Sequence, residues 1–147
     1  MLTPKTSRRT VILGVAASDA HAVANHLIAH ELDECGYYVV NLGVCTPIAE
    51  FAAAAREHPR AVAILIGSLN GHAHEDLREL AKVKEVGEIT CPVIVGGNLS
   101  VGSAKSADSV ERLYALGVDY VLDDASQIVG LLTQLCEEAT GSVRNVS

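Results

Sequence analysis

Short β-branched runs alternate with longer helix-patterned stretches along the whole chain, and that alternation leaves few folds open. Apolar runs at 11–16, 37–41, 61–67, 92–95 and 120–122 read as strands. Between and after them, 24–35, 47–56, 75–85, 106–115 and 126–139 carry helical patterns. Gly36 and Gly117 stand where helix C-caps are expected, Thr46-Pro47 offers an N-cap followed by a first helical residue, and His58-Pro59 stops that helix. Strands separated by helices pair in parallel. Right-handed crossovers and this length predict an α/β, flavodoxin-like (Rossmann-like) five-stranded parallel sheet of order 2-1-3-4-5, with helices on both faces.

The core has to be aliphatic. The 147 residues include four Tyr, one Phe and no Trp, yet 49% are hydrophobic. That composition suits strands covered on both sides. The length fits one domain, expected over 10–139, with a flexible N-terminus at 1–9 and a flexible C-terminal tail at 140–147.

The same numbers exclude some functions. A formal net charge of −7 argues against a nucleic-acid partner. Residues 1–10 are polar and lack a signal-peptide core, and no apolar stretch approaches the ~20 residues of a membrane span. A cytoplasmic location without membrane contact is the expectation. Cys35, Cys45, Cys91 and Cys136 show no C-x-x-C spacing and read as reduced thiols.

In an open parallel sheet, ligands bind at the carboxyl edge. The first strand runs into Ser18-Asp19-Ala20-His21-Ala22. A carboxylate two residues before an imidazole can hold one ring nitrogen and present the other to a metal. Asp19 as a plain helix cap, with His21 as a loop residue, is the competing reading. The third strand leads to Ser68-Leu69-Asn70, and the fourth to Gly96-Gly97-Asn98-Leu99-Ser100. Small residues on adjacent strand ends leave a slot for a flat group, although Gly96-Gly97 alone also makes a tight turn. His26 and His30, four apart, read as surface residues, and His72 and His74 as loop residues without metal. No G-x-x-x-x-G-K-[ST], G-x-G-x-x-G or G-x-S-x-G pattern is present.

These three loops, with the flanking words Val11-Ile12-Leu13-Gly14-Val15 and Val39-Val40-Asn41-Leu42-Gly43-Val44, give the chain its likeness. It resembles the cobalamin-binding domains of adenosylcobalamin-dependent mutases, and among them the small subunits of glutamate mutases, over roughly residues 10–135. The family pattern is Asp-x-His-x-x-Gly, Ser-x-Leu and Gly-Gly. Here Ala24 stands in place of the motif glycine, and 123–126 read Asp-Asp-Ala-Ser where relatives carry Pro, Gly and Thr.

The resemblance implies adenosylcobalamin as cofactor, with His21 as axial cobalt ligand and Asp19 on its other nitrogen. It implies a cofactor site formed by Ser18, Asp19, Ala20, His21 and Ala22, then Ser68, Leu69 and Asn70, then Gly96, Gly97, Asn98, Leu99 and Ser100. The displaced nucleotide tail would enter the slot beside Ser68, Leu69, Gly96 and Gly97. A TIM-barrel catalytic subunit would cover the upper corrin face and hold the substrate, L-glutamate or 3-methylaspartate. A stand-alone corrinoid module, methyl carrier or sensor, is the alternative.

Overall fold

The computed structural model describes residues 9–16, 22–67, 77–96, 111, 113–122 and 125–146. Five strands form one parallel sheet: β1 (Thr10–Val15), β2 (Tyr38–Asn41), β3 (Ala63–Gly67), β4 (Val93–Gly96) and β5 (Tyr120–Leu122). Their order is β2-β1-β3-β4-β5, as the alternation predicts. The described helices are α1 (Ala22–Glu34), α2 (Ile48–Glu57), α3 (Leu80–Glu85) and α4 (Ile128–Val146), with a 3-10 turn at Ala125–Gln127 and helical residues at 113–115.

Side-chain alternation splits the core into two layers. On one face Ile12, Ile64, Ile66, Val93 and Val95 meet Phe51 of α2, Leu80 of α3 and Leu113. On the other, Val11, Leu13, Leu65 and Ile94 meet Leu32 of α1 and Ile128 and Leu132 of α4. The central strands β1, β3 and β4 are covered on both faces, which is why they read as nearly unbroken apolar runs.

Helix α1 ends at Gly36 as expected. Its φ of +96° is left-handed backbone that glycine adopts without a Cβ penalty. The Gly36 N–H donates to Asp33 O, and the Tyr37 N–H to Leu32 O, each at 3.1 Å. Tyr37 and Leu32 share the α1-side core, completing a Schellman turn. Gly117, at φ +111°, closes the 113–115 turn through the same two bonds, to Tyr114 O and Leu113 O.

Two expectations are corrected. Thr46 does not cap α2; Pro47 occupies the N-cap, with no side-chain capping bond. The Thr46 hydroxyl instead turns back to Gly43 O at 3.2 Å and Leu42 O at 3.3 Å, and its N–H donates to Val15 O. Thr46 also bridges Ala16, so it staples the β2–α2 connection to β1. The last helix does not stop near 139; α4 continues to Val146.

Candidate cofactor site

The carboxyl ends of β1, β3, β4 and β5 form one row across the sheet: Val15 pairs with Gly67, Gly67 with Gly96, and Gly96 with Leu122. Alternation from Leu65 and Ile94 puts this row on the face covered by α1 and α4. At its centre two neighbouring strands carry no side chain.

Neither glycine is demanded by backbone geometry, because neither has a positive φ. Neither is demanded by protein packing. A Cβ on Gly67 would come no nearer than 3.9 Å, to Val15 Cγ2, and one on Gly96 no nearer than 3.7 Å, to Leu122 O. Those are ordinary contacts. Gly14, one residue before Val15 on β1, is the contrast: its missing Cβ would collide with the Phe51 ring on the opposite face. Among the described residues, protein crowds the position at Gly14, whereas Gly67 and Gly96 would each admit a methyl at ordinary contact distance.

Polar groups mark the same edge at β1 and β2. Asn41 ends β2, and its Oδ1 accepts the Gly43 N–H at 2.9 Å. It also accepts from Asn25 Nδ2 at 2.8 Å. Asn25 lies in the first turns of α1 and is 3% exposed. Its own Oδ1 is buried and has no hydrogen-bond partner among the described residues. Beyond Asn41 the chain throws Val44 and Cys45 outward before Thr46 rejoins β1, and Cys45 takes the left-handed φ of 56°.

Of the residues predicted for the site, Ala22 opens α1 and Gly96 ends β4. Ser18, Asp19, Ala20, His21, Ser68, Leu69, Asn70, Gly97, Asn98, Leu99 and Ser100 lie outside the described residues. The alternatives read from sequence receive no support as metal sites. His30 meets Glu34 at 3.6 Å with both side chains exposed, and no group of three potential ligands occurs among the described residues. His72 and His74 lie outside them. Cys35, Cys45, Cys91 and Cys136 form no disulfide, and no described helix is long and apolar enough to cross a membrane.

Two contributors escape a reading of the sequence. Gly67 looks like the end of an apolar run, and only its register with Gly96 gives it meaning. Asn25 looks like a surface position, and only its burial distinguishes it.

The B12 binding domain family model matches residues 9–128. The glutamate mutase sigma subunit 1 of Haloarcula marismortui is 39% identical over 122 residues, 83% of this chain and 80% of that protein. The Halobacterium salinarum sigma subunit is 42% identical over 112 residues, 76% and 74% of the two chains, and that of Clostridium tetani 39% over 115 residues, 78% and 83%. Among solved structures, a cobalamin-binding protein from Desulfitobacterium hafniense superposes with a TM-score of 0.71 at 17% identity, over 88% of this chain and 60% of that one. The Methanosarcina barkeri monomethylamine corrinoid protein gives 0.66 at 19% identity, over 89% and 59%. The chain thus spans about 60% of the length of these two structures, and their likeness is one of fold. With a matched domain over most of its length and relatives about 40% identical over roughly three quarters or more of both chains, the chain belongs to the glutamate mutase sigma subunits of the B12-binding domain family.

Proposed function

We propose that this chain is the cofactor-binding component of an adenosylcobalamin-dependent carbon-skeleton mutase. Acting in the cytoplasm with a TIM-barrel catalytic subunit, it serves the interconversion of L-glutamate and L-threo-3-methylaspartate. The names of its relatives support the reaction. The observation that carries the cofactor assignment is the pairing of two glycines, Gly67 and Gly96, at the carboxyl edge, where neither backbone geometry nor the described packing requires glycine.

The residues present fit a corrinoid. A flat heteroaromatic base suits a stretch of sheet edge where two paired glycines lie between Val15 and Leu122. A buried acceptor without a partner on the same edge suits a ligand that brings hydrogen-bond donors. When bound, adenosylcobalamin supplies a cobalt–carbon bond that breaks homolytically to start hydrogen abstraction.

This chain's residues bind and orient. His21 would hold the cobalt, and Asp19 would accept from its second ring nitrogen, fixing the tautomer that leaves the other nitrogen's lone pair for the metal. Ser68, Leu69, Gly96 and Gly97 would line the slot for the nucleotide tail, and Ser18, Ala20, Ala22, Asn70, Asn98, Leu99 and Ser100 would complete the cofactor site. Ser68 gives the base a hydroxyl contact. Groups that touch substrate belong to the catalytic subunit, which excludes water from the upper corrin face.

Reconstitution tests both halves of the reading. The purified chain is titrated with adenosylcobalamin, then assayed with a glutamate mutase catalytic subunit for 3-methylaspartate formed from glutamate. Binding plus turnover that requires both chains is the expected result. Binding without turnover would leave a corrinoid module and overturn the mutase assignment, while absence of binding overturns both.

A further inference from the structure

Asn25 poses a specific chemical question. Its neighbours on the inward stripe of α1, Ile28, Ala29 and Leu32, are apolar and pack on the same core layer as Leu65 and Ile94. Asn25 continues that stripe by one turn toward the carboxyl edge, on the sheet face that Gly67 and Gly96 also present. A polar side chain that is 3% exposed, with an unpartnered atom, is costly where an alanine would serve.

The hydrogen bonds fix which atom is left over. The Gly43 N–H can only donate, so the Asn41 atom that receives it is oxygen. That oxygen is a pure acceptor, so the Asn25 atom 2.8 Å away is its NH2 group. The remaining atom of Asn25 is therefore its carbonyl oxygen, held in place through Asn41 by the backbone of Gly43. The site asks for a donor.

We infer that Asn25 Oδ1 accepts a hydrogen bond from the nucleotide tail of the bound corrinoid, from a ribose hydroxyl or the amide N–H of the linker. The inference rests on the corrinoid reading above and deepens it. On that reading the tail would be the part of the cofactor that enters beside Gly67 and Gly96, and Asn25 lies on the same face of the sheet. Asn25 thereby selects for a complete cobalamin over a ring without its nucleotide.

The test uses the full chain and two probes, hydroxocobalamin and cobinamide, the second carrying the ring without the nucleotide. The ¹³Cγ resonance of Asn25 in the unaltered chain should move on adding hydroxocobalamin and stay in place with cobinamide. Asn25→Ala should bind hydroxocobalamin roughly tenfold or more weakly, the loss expected for one buried hydrogen bond. A resonance unmoved by hydroxocobalamin, or moved equally by cobinamide, overturns the inference. So does undiminished binding by Asn25→Ala; should that variant not fold, the resonance comparison decides alone. Failure of the unaltered chain to bind hydroxocobalamin would overturn the corrinoid reading itself, and this inference with it.

Discussion

Phe51 fills the space that Gly14 leaves empty: a Cβ on Gly14 would stand 2.7 Å from Phe51 Cζ and 2.9 Å from Cε1. Phe51 is fully buried and is the chain's one phenylalanine, so α2 seats its largest side chain directly on β1. Gly14→Ala forces the ring or the strand to shift and should destabilise the fold by about 1–3 kcal/mol. Urea unfolding measures the loss. Adding Phe51→Leu should recover part of it, because the two changes share one contact.

The other two strand glycines should behave oppositely. Gly67→Ala and Gly96→Ala place a methyl at ordinary contact distance, so the melting temperature should hold or rise slightly. Cobalamin affinity should fall roughly tenfold or more, as expected when a methyl overfills a fitted site. Unfolding and cobalamin titration on the same samples separate the two effects. A stability loss with unchanged affinity would mean that the glycine pair is not a ligand site.

The strand order follows from sequence because each central strand is apolar on both faces and each crossover is long enough for a helix. The loops at the carboxyl edge are visible too, since Asp-x-His and Gly-Gly are short local words. What stays hidden is non-local. Thr46 reads as a helix cap, but its hydroxyl bonds backward to Gly43 and Leu42 because its N–H is drawn to Val15. Gly67 acquires its role from pairing with Gly96, and Asn25 from burial on the inner side of α1, whose pattern does not single it out. Register and burial are tertiary facts that no window of sequence contains.

Asp119 ties the start of β4 to α3. Its Oδ2 accepts from the Val93 N–H at 2.8 Å and from Lys84 Nζ at 2.6 Å, while Lys84 also donates to Gly117 O. Both charged side chains are partly exposed, so the ion pair itself contributes little. The backbone bond matters more. Asp119→Ala should cost about 1–2 kcal/mol in urea unfolding, and Asp119→Asn clearly less, because an amide oxygen still accepts from Val93.

Alkaline pH should weaken the fold through Tyr37. Burial raises its phenol above the ordinary value of 10.0, with the nearby Cys136 adding to the rise. The folded state thus holds this proton more tightly than the unfolded chain. Its contribution to stability is complete below pH about 10 and is lost as pH climbs through the raised folded value. Urea midpoints measured from pH 8 to 11 should fall in the unaltered chain and fall less in Tyr37→Phe.

Burial likewise raises the Cys91 thiol, whereas Cys35 and Cys45 are exposed. Because the thiolate is the reacting form, Cys91 should be alkylated more slowly than Cys35 at pH 8. Timed alkylation followed by peptide mass spectrometry reads the order.

The cofactor assignment requires a histidine of this chain to reach cobalt. Electron paramagnetic resonance of cob(II)alamin bound to the protein tests that directly, once with natural-abundance protein and once with ¹⁵N-labelled histidine. The prediction is a superhyperfine pattern that changes with the label and that His21→Ala abolishes. A pattern indifferent to the label would mean that the cofactor's own base remains on cobalt, and it would contradict the assignment of His21.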